Sequence, residues 1–323
     1  MTYAVKNIRK VIRNNMPLVI KNSHVFSKWV TMRVKNIRNT YRLKNLDLYN
    51  HILPPEDGNL LISNRIADDQ PLMISRFGNV ESVCVFDYLA GNYSEETIKS
   101  MITNAGFFPS KQEYLDKYSQ LFLESSKSID VLGVWFNYGE AEVIRNSCPQ
   151  ASLVDLDTLE PYYHDNPWSL NLKSKKILVI HPFANTILEQ YNNHRQFLFQ
   201  DENILPQFEL STMKAVQSIG GTQTEFSSWF DAYFWMCEKI KQYDFDIAII
   251  GCGAYGLPLA AYVKSLGKKA IHLGGVTQIL FGIKGQRWDS RPFFQSLYNE
   301  YWVRPKPEET PQDYKQIENG CYW

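Results

Sequence analysis

One arrangement recurs along the chain and restricts its fold: a short, nearly unbroken apolar run followed at once by a segment with helical spacing. "PLMISRFG" leads into "NVESVCVFDYLAG", "IDVLGVWF" into "GEAEVIRNSC", and "KKILVIHPF" into "ANTILEQYNNH". "FDIAIIG" then leads into "YGLPLAAYVKSLG", and the strand "KKAIHLG" follows. Strands that are apolar on both faces need helices on both faces, which means a mostly parallel sheet. The pattern predicts an α/β fold, doubly wound and Rossmann-like. Further helices are expected at "SEETIKSMITNAG", with a Ser cap, and at "SKQEYLDKYSQLFLESS", from a Ser110–Glu113 capping box. "TQTEFSSWFDAYFWMCEKIKQY" carries a second box, Thr222 with Glu225.

Charge divides the chain further. Residues 1–50 hold eleven Lys or Arg and one acid, Asp47, leaving 23 basic and 33 acidic residues for the rest. Val5, Ile8, Val11 and Ile12, then Val30, Val34, Ile37 and Tyr41, stand at helical spacing among those cations. This basic helical extension suits an anionic membrane surface, at about 1 kcal/mol per basic residue near lipid. A solvated helix packed on its own domain is the alternative. Nucleic acid is not expected as a partner, because the acidic remainder would repel phosphates. "ILPPEDGN" breaks the pattern at residue 52, so the expected division is 1–50, an α/β domain over 51–303, and a loosely held polar tail over 304–323. No run reaches the roughly 18 apolar residues of a spanning helix. Five scattered cysteines without a CxxC pair fit a reducing compartment, so the expected location is cytoplasmic, peripheral at the inner face of a membrane.

Ligands of open parallel sheets gather beyond the carboxyl ends of the strands. Four such ends here carry polar groups or glycine: "SRFGNVE", "IHPFANT", "IGCGAYG" and "IHLGG". Gly251, Gly253 and Gly256 spell G-x-G-x-x-G between a strand and a helix, a cradle for phosphate at a helix N-terminus. A dinucleotide site also needs an acid about 20 residues on. None occurs between Gly256 and Asp289, which favours a nucleoside diphosphate over NAD. Around this motif stand His272, Gly274 and Gly275, then Lys284, Arg287, Trp288 and Asp289 on the loop "FGIKGQRWDS". The cations suit a leaving diphosphate and the indole suits stacking, unless the loop is a surface one anchored by Trp288. In "SRFGNVE", Arg76 suits bidentate phosphate or carboxylate contact or an ion pair with an acid, Gly78 a tight turn, Asn79 a helix cap and Glu81 a first-turn charge or a reacting carboxylate. His181 is a base, a phosphate donor or a buried core residue, and lacks the neighbours of a zinc site.

"SRFGNVE", "HPFANTILEQY", residues 244–275 and "TQILFGIKGQRWD" resemble a bacterial family of GT-D fold-like proteins tied to surface polysaccharide synthesis. Better-studied members carry Arg-(aromatic)-Gly-Asp-Gly-Glu, whose Asp-x-Glu helps hold a metal and the nucleotide sugar. The resemblance spans about residues 60–290 and implies a GT-D-type glycosyltransferase, a divalent cofactor (Mn or Mg) and a glycan or lipid-linked acceptor. Asp-x-Glu carries over as Asn79 and Glu81, with a neutral amide where the family has a carboxylate. Glu81, His181 and Asp289 are the catalytic candidates, with His272 for phosphate contact or proton transfer. An NAD-linked nucleotide-sugar oxidoreductase and a non-catalytic nucleotide-binding protein of a polysaccharide system are the rival readings.

Overall fold

The computed structural model describes residues 38–312, 314–317 and 319–323. Among these residues seven strands form one sheet: β1 (Leu72–Arg76), β2 (Val131–Val134), β3 (Ser152–Asp155), β4 (Lys176–His181), β5 (Glu209–Lys214), β6 (Ile247–Ile250) and β7 (Lys269–His272). Their order is β3-β2-β1-β7-β6-β4-β5, and all six neighbouring pairs are parallel. The architecture is Rossmann-like α/β.

The pleat sends alternate residues to two cores. Met73, Leu178, Ile180, Ala248 and Ile250 face one cluster with α2 (Asn79–Leu89), α3 (Glu95–Thr103), α4 (Gln112–Ser126), α5 (Glu140–Ser147), α7 (Trp229–Ile240) and α8 (Gly256–Ser265). Leu72, Ile74, Ile177, Val179, Ile247 and Ile249 face the other, with α1 (Pro55–Ala67), α6 (Ala184–Leu198) and the chain after Ile279. Helices cover both faces, as the unbroken apolar strands require.

Several sequence expectations move. β3 and β5 are the sheet edges and lack an apolar run; β5, "ELSTMK", buries only Met213 fully. The Ser110–Glu113 box does not form: Lys111 is the N-cap of α4 and gives no side-chain bond. The Thr222–Glu225 box is replaced by Ser228, whose hydroxyl accepts from Asp231 N at the start of α7. Ser94 caps α3 as expected, accepting from Thr97 N at 3.1 Å.

The boundary at 50/51 also shifts. Tyr41 donates to Glu142 and accepts from Ala141 N, Asn45 accepts from Arg145, and Tyr49 packs edge-on against Phe136 at 4.7 Å. Residues 41–49 therefore belong to the α/β body, while the basic segment before residue 38 lies outside the described residues. The tail over 304–323 is packed rather than loose. Glu309, Ile317 and Cys321 are buried, and Trp323 Nε1 donates to the Glu309 carbonyl. The last aromatic residues supply the apolar contacts that its polar composition conceals.

Candidate functional site

The strand order makes neighbours of the four polar strand ends: β1, β7, β6 and β4 are consecutive in the sheet. Register aligns Ile180 with Ile250 and Ile250 with His272, so the next residues of β4 and β6 are His181 and Gly251. The outgoing connection of β4 runs to β5 and that of β6 runs to β7, in opposite directions across the sheet. This is a topological switch point, where open α/β sheets leave a crevice.

At the β1 end, Arg76 is half-buried. Its Nε and one terminal nitrogen donate to the Phe77 carbonyl at 3.2 and 2.9 Å, and its guanidinium lies 4.3 Å from the centre of the Trp135 ring. Among the described residues no carboxylate lies within ion-pair distance of it. Burial lowers its pKa, opposed by Tyr322 and Glu81 and reinforced by Arg287. Gly78, not Asn79, is the N-cap of α2, and Asn79 is the first helical residue. Glu81 explains the glycine: a Cβ on residue 78 would overlap the Glu81 carboxylate, which folds back over the turn. The Asn79 Oδ1 is buried and has no hydrogen-bond partner among the described residues.

The glycines of β6 divide by role. A Cβ on Gly251 would lie 2.5 Å from Thr277 Oγ1, 2.6 Å from the Gly274 carbonyl and 2.8 Å from the His181 ring, and one on Gly256 would overlap His272. Both are glycine because polar neighbours crowd them. Gly253 differs: it is exposed, has φ +58°, and faces open space. It leads through a short turn into α8, whose N-terminus favours anions. Gly274, at φ +67°, lies against the Arg76 guanidinium, and Gly275 against the Tyr322 ring.

The two histidines do not converge. The pleat sets His272 toward α8, with Nδ1 3.0 Å from Ser75 Oγ, and His181 toward the other face, where Nδ1 accepts from Phe183 N at 2.9 Å. That bond leaves the neutral ring's proton on Nε2. Burial pushes both pKa values down to about 3, so both rings are neutral at pH 7.

The loop after β7 departs from expectation. Trp288 is buried against Gly285 and Phe294, so its ring is a core anchor, not an open stacking platform. Asp289 forms an ion pair with Arg304 at 2.6 Å, which holds the tail. Lys284 lies 5.3 Å from the centre of the Tyr298 ring. Arg287 lies 4.7 Å from the centre of the Tyr322 ring and donates to Cys321 Sγ at 3.2 Å. The tail also fills an expected anion position. The Glu309 carboxylate accepts from Asn185 N at 2.8 Å and from the Thr186 hydroxyl, capping α6 where a phosphate following "IHPFANT" would lie.

Two carboxyl groups that the sequence did not single out stand near Arg76. Glu140 is fully buried and accepts from Trp135 N at 3.3 Å and Asn137 N at 3.0 Å. Glu160 accepts from the Tyr162 hydroxyl. Burial pushes both up to about 7 against the pull of Arg76 and their hydrogen bonds. Glu140 does fall in the first turn of α5, but its burial depends on the fold.

These shifts oppose each other in stability. Glu140 and Glu160 bind protons more tightly when folded, so each lowers stability as pH rises from 4.5 through about 7. His181 and His272 bind theirs less tightly, so each lends stability that is lost as pH falls from 6.5 toward about 3. Where the two windows overlap, from pH 4.5 to 6.5, the wild-type curve is expected to be shallow, and it falls away on both sides. Glu140→Gln removes one falling limb, so the variant should gain on wild type from about pH 5 to about pH 7, by at most about 1.4 kcal/mol per pH unit. Urea denaturation at several pH values measures the difference, and parallel curves would refute it.

Compared with models of known protein families, with curated proteins and with solved structures, the chain matches none. Among the described residues no three His, Cys, Asp or Glu side chains converge as a metal cage. Asn79 and Glu81 fit a divalent ion only in part. A neutral amide oxygen without a partner and one carboxylate suit Mg or Mn if ligand phosphates and water complete the shell. Among the described residues no helix is long and apolar enough to cross a membrane.

Proposed function

We propose that this protein is a glycosyltransferase of GT-D type, moving a sugar from a nucleoside diphosphate donor to a surface-glycan acceptor, lipid-linked in the simplest case. The observation that carries this reading is the adjacency of the β1, β7 and β6 ends. It sets Arg76 and the Glu81 turn beside Gly274 and the open Gly253 turn that enters α8. In this scheme the Gly253 turn and the N-terminus of α8 receive the diphosphate. Arg76, with Arg287 near it, stabilises the charge that develops on the leaving group. Glu81 is the reacting or metal-binding carboxylate, and Asn79, two residues earlier in the same turn, would offer its Oδ1. A divalent cation held by these two residues would neutralise diphosphate charge. The basic segment within residues 1–50 would hold the enzyme at an anionic membrane surface.

A nicotinamide dinucleotide fits less well. Two of the three motif glycines serve internal packing, and the chain has no acid at the ribose-binding spacing. Nucleoside diphosphates and their sugars should therefore stabilise the protein more than NAD does. Ligand at 100 times its dissociation constant, binding only the folded state, raises stability by about 2.7 kcal/mol. Thermal shifts with UDP, GDP, their sugars and NAD, with and without Mn²⁺, test this. A larger shift with NAD would overturn the reading.

A further inference from the structure

The carboxyl end of β2, next to β1, carries polar groups that the scheme above leaves unused. Phe136 takes φ 58°, a region costly for an aromatic residue, and Gly139 follows at φ 78°. Glu140 holds this bend through the backbone N–H groups of Trp135 and Asn137. The result places Asn137 at 1% exposure with neither Oδ1 nor Nδ2 hydrogen-bonded among the described residues. The Trp135 Nε1 is also buried without a partner among the described residues, on the ring that carries the Arg76 guanidinium at 4.3 Å.

An unpaired buried polar group costs about 1–3 kcal/mol, so native folds rarely leave both ends of one amide unpaired without a role for them. Here a strained turn does so beside Arg76, and the half-buried Arg38 also lies 5.7 Å from the centre of the Trp135 ring. The chemistry of the free groups selects the ligand. A phosphate accepts hydrogen bonds but donates none, and the Asn137 Oδ1 would face it with like partial charge. Groups that donate and accept at once satisfy an amide at both ends and leave the indole N–H an acceptor. Adjacent hydroxyls of a sugar ring have that character.

We propose that Asn137 and the Trp135 Nε1 form a hydroxyl-recognising subsite that holds the sugar ring of the donor. The subsite lies across Arg76 from the β6 and β7 turns assigned to diphosphate. This rests on the nucleotide-sugar reading for the identity of the donor, but not for the sugar chemistry. The order of strands β2-β1-β7-β6 then lays sugar, Arg76 and diphosphate along one edge of the sheet.

The test uses the full chain, UDP and GDP, their hexose and N-acetylhexosamine sugars, and free hexoses. Calorimetry compares each nucleotide sugar with its own diphosphate, and saturation-transfer NMR reads the free hexoses. We expect at least one nucleotide sugar to bind tenfold or more tightly than its diphosphate. Asn137→Ala should erase that preference, keep diphosphate affinity within about twofold, and melt no lower than wild type, because it removes unpaired groups. Trp135→Phe, which keeps the ring under Arg76, should reduce the preference by a smaller factor, and it carries the test if the alanine variant fails to fold. A preference that persists in both folded variants, or a wild type that binds diphosphate and its sugars equally, overturns the subsite and leaves the nucleotide reading standing. Hexose saturation lost in Asn137→Ala, with no diphosphate bound by wild type, supports the subsite and overturns the nucleotide reading. Silence from both sets of probes overturns both.

Discussion

Replacing Glu81 by Gln is expected to leave the protein folded and to lower sugar transfer about a hundredfold, the scale of a lost general acid–base or charge-stabilising group. Glu81 lies in the first turn of α2 with its carboxylate folded over Gly78, and its charge acts on Arg76. Glutamine keeps the shape and removes the charge. If Glu81 only complements the helix dipole, the substitution costs at most about 1 kcal/mol of stability and leaves transfer unchanged. Gly78→Ala gives an independent handle, because the new Cβ claims the space of the carboxylate. The displaced atoms end a flexible side chain, so the fold should survive while transfer falls as in Glu81→Gln. Asn79→Asp should make transfer more dependent on Mn²⁺ by pairing two carboxylates. Steady-state transfer with thermal melts on the same samples reads all three, and a fully active Glu81→Gln enzyme ends the assignment.

Gly251→Ala should be the most damaging of the motif glycine changes. Its Cβ would meet the Gly274 carbonyl at 2.6 Å and Thr277 Oγ1 at 2.5 Å, and a backbone atom of the turn after β7 cannot turn aside as a side chain can. Overpacking of this kind costs about 1–3 kcal/mol, and relief would push Gly274 toward Arg76. Gly253→Ala is the control. It meets nothing, and its penalty is the left-handed φ alone, about 1 kcal/mol. Denaturant unfolding should rank Gly251→Ala below Gly253→Ala in stability, while Gly253→Ala should lose the greater part of its diphosphate affinity despite its milder fold defect. Equal stability of the two would show that the crowding around Gly251 relaxes.

The central strands were legible because each is a local apolar run. The edge strands β3 and β5 were not, since one flank of each meets solvent or loop and their sequences are mixed. Helix caps were legible only where one candidate stood alone. Ser94 capped as expected, whereas Ser110 and Thr222 lost to Lys111 and Ser228, because a cap is set by where the chain bends and not by the presence of a hydroxyl. The polar strand ends were all visible in sequence, yet Trp288 was misread, because an indole on a glycine-rich loop gives no sign that the tail will bury it. Asn137 was invisible: its neighbours in "WFNYGE" do not reveal a positive φ at Phe136.

The sequence by itself determined a parallel α/β sheet with glycine turns at its strand ends, because strand apolarity, helical period and glycine punctuation act over a few residues. Tertiary structure alone decided the strand order, which sets Ser75 against His272 across 197 residues of chain. It also decided that His181 and His272 face opposite sides, since the pleat assigns faces only once register is fixed. The same holds for Glu309 at the N-terminus of α6 and for the two carboxyl groups near Arg76. Burial and long-range contact set their chemistry, and neither is a property of local sequence.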